Sequence, residues 1–341
     1  RRSENGARST ASTDGAGVML HLRNLRVTID DYEIINIDDL ALQPGTRLGL
    51  VGESGSGKTM TAKAIAGLLP NEAKVSGDVN FDGRNLLELS DRELAKVRGK
   101  RIGFVFQDPA RSLNPMMRIG KQVSEAIRIH TDLKGRAVTD KVIDLLRQVQ
   151  LPEPETLLRR YPHQLSGGQQ QRVMIAAAIA ADPDLLIADE PTTALDVTVQ
   201  EEILRLLISL SEQRKMSLLF VSHDLGVVRF VCNQVAVIYG GNIVEAGDID
   251  SIINRPQHRY TAALLAANPG MPKDDNFSAF IGRRLQTITG SVPAVGRFPS
   301  GCRFRNRCQH ASEKCVTTPP ITSDSPNHRH LCWHPTQGGP S

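Results

Sequence analysis

Eight consecutive residues, Gly52-Glu53-Ser54-Gly55-Ser56-Gly57-Lys58-Thr59, carry the most specific chemistry in this chain. They fit the spacing G-x-x-x-x-G-K-[ST], in which glycines let the backbone curl until successive N–H groups point at phosphate oxygens. A helix starting directly after such a loop adds the partial positive charge of its N-terminus. In that setting Lys58 reaches the β- and γ-phosphates of a nucleotide, and the Thr59 hydroxyl binds Mg2+. The expected nucleotide-contacting set is Gly52, Ser54, Gly55, Ser56, Gly57, Lys58, Thr59 and Met60.

Further polar groups follow apolar runs. Gln107 closes the run 101–106, Asp189 and Glu190 close 184–188, and His223 comes just after 217–221. Adjacent carboxylates beside a phosphate loop divide two tasks: Asp189 holds the Mg2+ shell, and Glu190 orients and deprotonates an attacking water. His223 can donate to the γ-phosphate through Nε2. Ser166-Gly167-Gly168-Gln169 opens an apolar helix and reads as a second anion site, with Ser166 as N-cap and free backbone donors behind it. Tyr32 is the nearby aromatic ring that can stack on adenine; an ordinary exposed tyrosine accounts for it equally well.

These groups need elements to hold them. Residues 20–29 and 34–42 alternate like strands, 48–51 form a short buried strand, and 60–69 a helix. Strands are expected within 77–86 and at 101–106, 184–188 and 217–221, with a hairpin of 235–239 and 242–245 around Gly240-Gly241. Residues 119–151 and 173–180 carry helical apolar spacing. Lys58, Gln107, Asp189 and His223 would then share the carboxyl edge of one α/β sheet, where ligands bind.

The chain has 341 residues, 40% of them hydrophobic, enough for one large domain and a smaller one. A net charge of +4 is too small to make nucleic acid the partner. The longest apolar run, 173–181, is about half the length that spans a bilayer. Residues 1–17 are polar, lack a signal-peptide apolar core and read as a disordered lead.

Four of the five cysteines, Cys302, Cys308, Cys315 and Cys332, cluster near the C-terminus. Beside a nucleotide loop, such a cluster points to metal before disulfides. Four thiolates suit an iron–sulfur cluster or tetrahedral zinc. His310, His328, His330 and His334 are spare ligands; Arg303, Arg305 and Arg307 read as a solvated basic loop, and Cys232 as a small buried side chain.

Taken together over residues 20–265, the P-loop, Gln107, the Leu165-to-Arg172 stretch, Asp189-Glu190, Asp196 and His223 resemble the nucleotide-binding subunit of an ABC transporter. The run from Phe106 to Pro109, Tyr161-Pro162-His163 and residues 189–200 (DEPTTALDVTVQ) resemble the oligopeptide, dipeptide and nickel importers. So do Asn254-Arg255-Pro256 and His258 to Thr261, with Arg259 at a usual proline, and residues 301–308.

The resemblance implies an α/β P-loop NTPase of the ABC ATPase type, with an antiparallel β-subdomain, a helical subdomain and a small C-terminal Cys-rich extension. The expected boundaries are 18–268 for the ATPase domain, about 108–180 for its helical part, and 269–341 for the extension. It implies an ATPase driving uptake of oligopeptides or dipeptides, with nickel or another solute, or a non-transport ABC ATPase, as alternatives. A third reading is an iron–sulfur regulatory protein with a secondary ATPase. Glu190, His223 and Gln107 would be catalytic, Thr59, Gln107 and Asp189 would hold Mg2+, and Asp196 would join the ATP contacts. The implied metal is a [4Fe–4S] cluster on the four tail cysteines, with zinc as alternative. Implied partners are a second, paralogous ABC ATPase, two transmembrane permease subunits and, indirectly, an extracytoplasmic peptide-binding protein, with no nucleic acid. Two chains would close head-to-tail, each ATP lying between one P-loop and the partner's Ser166-Gly167-Gly168, peripheral to the cytoplasmic face of the inner membrane.

Overall fold

Alternating apolar residues build the first layer of the computed structural model, which describes residues 17–193, 195–267, 287–325 and 327–336. The expected lead lies outside these residues apart from Gly17, as does the start of the expected extension. Strand β1 (Leu20–Ile29) buries Leu20, Leu22, Leu25 and Val27 and pairs antiparallel with β2 (Tyr32–Leu42). After β3 (Arg47–Val51) and α1 (Lys58–Ala66), β4 (Lys74–Phe81) covers the other edge of β1, and β5 (Arg84–Asn85) completes a four-stranded sheet. Helix α2 (Asp91–Val97) leads into β6 (Ile102–Val105).

Helices dominate the middle of the chain: α3 (Pro109–Ser112), α4 (Ile119–His130), α5 (Arg136–Gln148), α6 (Pro154–Leu157) and α7 (Gly167–Ala178). The helical stretch expected at 119–151 is interrupted: Thr131 is extended and ends α4, and Gly135, at φ +56, precedes the start of α5. Then come β7 (Leu185–Asp189), the long α8 (Val197–Arg214), β8 (Ser217–Ser222), α9 (Leu225–Val231), β9 (Gln234–Tyr239) and β10 (Asn242–Asp248). Helices α10 (Ile249–Asn254) and α11 (Arg259–Ala267) precede the tail strands β11 (Thr322–Ser325) and β12 (His328–His330).

The second sheet has eight strands in the order β11-β12-β10-β9-β3-β8-β7-β6. Strands β9, β3, β8, β7 and β6 run parallel, while β10, β12 and β11 extend the sheet antiparallel. Both faces of the parallel part are covered, so its strands are apolar almost throughout. Leu48, Leu50, Leu219 and Ile187 face α1 and the first sheet. Leu186, Leu218, Phe220 and Val237 face α7, α8 and α9 in the other core cluster. The parallel register sets Val51 beside Ser222, Val221 beside Asp189, and Ala188 beside Val105. The carboxyl ends of four strands therefore meet in one place.

Candidate functional site

The P-loop sits between β3 and α1, where the buried strand must hand over to a helix. Gly57 has φ +105, a conformation that side chains rarely adopt, and its carbonyl already accepts from the Thr61 N–H. Helix α1 thus starts at Lys58, two residues before the expected 60–69 stretch, and ends on the left-handed Gly67. The Lys58 ammonium donates to the carbonyls of Gly52 (2.9 Å) and Glu53 (3.1 Å) and lies 3.7 Å from Glu190 Oε1. Burial pulls the Lys58 pKa down, against the opposing pull of Glu190 and Asp189.

Asp189 ends β7 and is buried; its Oδ1 accepts from the Thr59 hydroxyl at 3.0 Å. Burial raises its pKa, with the Thr59 hydrogen bond working the other way. Hard oxygen donors at this spacing suit Mg2+, and an ion would repay the cost of ionising Asp189. Glu190 follows at φ +45, a strained conformation for a non-glycine residue. Its N–H donates to the Val221 carbonyl, which ties the strained residue to β8. Its Oε2 accepts from Gln107 Nε2 (3.1 Å) and from the Thr193 hydroxyl (3.0 Å), with His223 Nδ1 at 3.4 Å. Gln107, Glu190 and His223 line one cavity beside Ser54, Gly55, Gly57, Lys58, Thr59 and Met60. Ile34 and the tail residues Ser291, Val292 and Val295 form other parts of its wall.

The remaining expected contacts stand elsewhere. Gly52 and Ser56 lie in the loop itself, with the Ser56 side chain fully buried. Tyr32 is exposed and outside the cavity lining; its ring lies so close to Gly296 that a Cβ there would come within 2.2 Å of it. Ser166 caps α7: its Oγ accepts from the Gln169 N–H, and Gln169 Oε1 accepts from the Ser166 N–H. Gly168 is required by packing, since a Cβ would lie 2.8 Å from Val199 Cγ1, whereas Gly167 is exposed. None of Ser166, Gly167, Gly168 and Gln169 lines the P-loop cavity. Asp196 caps α8 by accepting from the Val199 N–H at 3.0 Å.

All four tail cysteines are free and line a second cavity, with His310 and His334 at its edge. Burial, and then the thiols of Cys315, Cys332 and Cys308, push Cys302 up to about 11. Among the described residues, no three His, Cys, Asp or Glu side chains are close enough to share a single metal ion. Tetrahedral zinc, with Zn–S bonds of about 2.3 Å, would need sulfurs about 3.8 Å apart. The four thiols share one cavity lining, and four thiolates are the donor set that an iron–sulfur cluster takes.

The tail arginines do not form a solvated loop. Arg307 is 9% exposed and paired with Glu53, and Arg303 pairs with Glu33 and the Gly240 carbonyl. His328 is likewise taken, donating to the buried Glu245 carboxylate at 2.7 Å. Sequence reading missed Thr193, Tyr260, Arg307 and the tail wall. Only Thr193 had a local signal, lying three residues beyond Glu190.

The ABC transporter family profile matches residues 35–193, and that of the oligopeptide/dipeptide transporter C-terminal region matches 244–315. The chain is 40% identical to the oligopeptide transport ATP-binding protein OppD of Salmonella typhimurium, covering 96% of this chain and 97% of that protein. It is 45% identical to a putative peptide import ATP-binding protein of Brucella abortus, over 89% of this chain and 91% of that one. Among solved structures, the dimeric post-hydrolysis ATP-binding cassette MJ0796 bound to ADP and Pi superposes with a TM-score of 0.61. It is 30% identical, and the match covers 68% of this chain and 99% of that one. This chain belongs to the ATP-binding proteins of ABC peptide importers, the subunits that hydrolyse ATP to drive transport.

Proposed function

We propose that ATP binds along the P-loop at the carboxyl edge of the parallel sheet and that Glu190 is the general base. The observation that carries this is the convergence of Lys58, Gln107 and His223 on Glu190, on four strand ends that the register holds together. The Lys58 ammonium leaves its carbonyl partners for the outer phosphates. Mg2+, when bound, neutralises phosphate charge; Thr59 and Asp189, with Gln107, are the residues that would hold it. A water placed against Glu190 gives its proton to the carboxylate as its oxygen attacks the γ-phosphorus, and ADP leaves. His223, half exposed and hinged at β8, is free to turn its imidazole toward the departing phosphoryl group. Glu190→Gln keeps the shape and removes the base. ATP affinity should stay within about twofold while kcat falls about 10²- to 10⁴-fold. Full turnover in E190Q would remove Glu190 from the mechanism.

The exposed Ser166-Gly167 end of α7 takes the γ-phosphate of a partner chain's nucleotide, and the dimeric cassette that this chain resembles supports that arrangement. The partner ATPase is a paralogue, and two permease subunits receive the closing motion, loaded by a peptide-binding protein outside. Among the described residues no helix is long and apolar enough to cross a membrane. Peripheral attachment at the cytoplasmic face through the permeases fits that. The chain divides into a lead to residue 17, the ATPase domain at 18–268 with its helical part near 108–180, and the extension at 269–341. Cys302, Cys308, Cys315 and Cys332 hold a [4Fe–4S] cluster, which closes a tail too short to build its own core.

A further inference from the structure

Arg307 lies one residue before Cys308, and its guanidinium pairs with a P-loop residue 254 positions earlier in the chain. Nη1 donates to Glu53 Oε2 at 2.6 Å and Nη2 to Glu53 Oε1 at 3.0 Å, a two-pronged pair. Nε donates to the Thr289 carbonyl at 2.9 Å, and Nη2 also to the Gly290 carbonyl at 3.1 Å. The guanidinium packs over the rings of Tyr239 and Phe304. The Arg307 side chain is only 5% exposed, and its partner carboxylate is 27% exposed.

Glu53 is a junction. Its N–H donates to the Tyr260 hydroxyl at 2.8 Å. Its carbonyl accepts from Lys58 Nζ and from the Ser56 N–H. The side chain, amide and carbonyl of one P-loop residue are thus tied to the tail, to α11 and to the phosphate-binding lysine. Tyr260 itself packs against Phe304 of the tail. The same tail contributes Ser291, Val292 and Val295 to the cavity wall.

We infer that Arg307 is a positioning residue for nucleotide binding: through Glu53, the C-terminal extension sets the conformation of the P-loop and with it the affinity for ATP. Phosphate recognition by a loop depends on the aim of its N–H groups, and small misplacements there are costly. A lysine cannot replace Arg307, because a single ammonium lacks the fork that locks both Glu53 oxygens. The cysteine cavity lies next to the brace, so loss of order in the Cys302-to-Cys308 loop would reach the nucleotide by the same route. The inference rests on the P-loop being the nucleotide site.

The test uses the full chain, a fluorescent ATP analogue for affinity, and the assembled transporter for KM and kcat. Arg307→Met should raise KM for ATP and weaken analogue binding by about tenfold, with kcat within about twofold. Adding Glu53→Gln removes the stranded carboxylate, so the double variant should bind no more weakly than R307M alone. Should R307M fail to fold, judged by thermal unfolding, Arg307→Lys carries the same test and should give the same KM rise. Unchanged KM in the folded variant, or penalties from E53Q and R307M that multiply, would overturn the inference. Lys58→Ala separates the two readings. If K58A binds the analogue like the parent, the nucleotide site is wrong; if K58A loses binding and R307M does not, only the brace is wrong.

Discussion

Cys232 and Cys315 are both free, buried thiols, and their surroundings assign them different chemistry. Cys232 is packed among apolar groups of β3 and α9, where burial drives its pKa far above the usual thiol value. A thiol in that state is neither nucleophile nor ligand. Cys315 shares its cavity with Cys302, Cys308 and Cys332. Burial, and then neighbouring thiols, make Cys302, Cys308 and Cys332 harder to ionise, a cost that a metal centre would reverse. If the four cysteines hold the proposed cluster, protein purified without oxygen should carry iron and sulfide. Cys315→Ser should lose most of both, while Cys232→Ser should keep the parent's content. Elemental analysis decides this, and zinc without iron would replace the cluster with a zinc site. At this scale the sequence was informative where function depends on neighbours in the chain: Lys58, Asp189 and Glu190 announce themselves by type and spacing. Arg307 could not, because its partner Glu53 is 254 positions away and nothing local marks a buried arginine.

Elements tell a similar story. The strand ends at Val51, Val105, Asp189 and Ser222 were legible because buried parallel strands read as short apolar runs stopped by polar residues. Helix α8 was not, since its long stretch of mixed residues follows the Asp196 motif without any glycine or proline to frame it. Nor were β11 and β12: the polar Thr322–Ser325 has no apolar alternation, and β12 is a strand only because β10 offers it an edge. What holds that edge is Glu245, almost fully buried in β10. It accepts from the N–H groups of Gln257 (2.6 Å) and His258 (2.9 Å) and from His328 Nε2 (2.7 Å). Of these three donors only His328 comes from the tail, so its imidazole is what ties the tail to this buried carboxylate. Removing the imidazole leaves the charge under-satisfied and a void beside it. His328→Ala should cost about 2–4 kcal/mol. Limited proteolysis should then open the tail before the ATPase domain. A protease pattern identical to the parent's would place the tail's anchorage elsewhere, at Arg303 and Arg307.

At the scale of the whole molecule, the two anion-binding ends of the chain do not face each other. The P-loop cavity is lined by Gln107, Glu190, His223 and tail residues, while Ser166 and Gly167 are exposed and absent from its wall. A capped helix start with free N–H groups is a site for negative charge, and in α7 it is open to another molecule. In the proposed arrangement a nucleotide held by one chain supplies that charge, and ATP would be the adhesive between two cassettes. Hydrolysis removes the adhesive, so a chain that binds without hydrolysing should stay closed. E190Q with Mg2+ and ATP should double in mass by light scattering if two copies suffice. If the partner is a paralogue, the doubling should appear only when that second ATPase is added. Ser166→Arg fills the gap with bulk and should abolish the pairing in either case, yet leave ATP binding to the single chain within about twofold, because Ser166 touches no part of its own pocket. Equal dimerisation by S166R would mean that the second anion end is not the contact, and that the chains meet through another face.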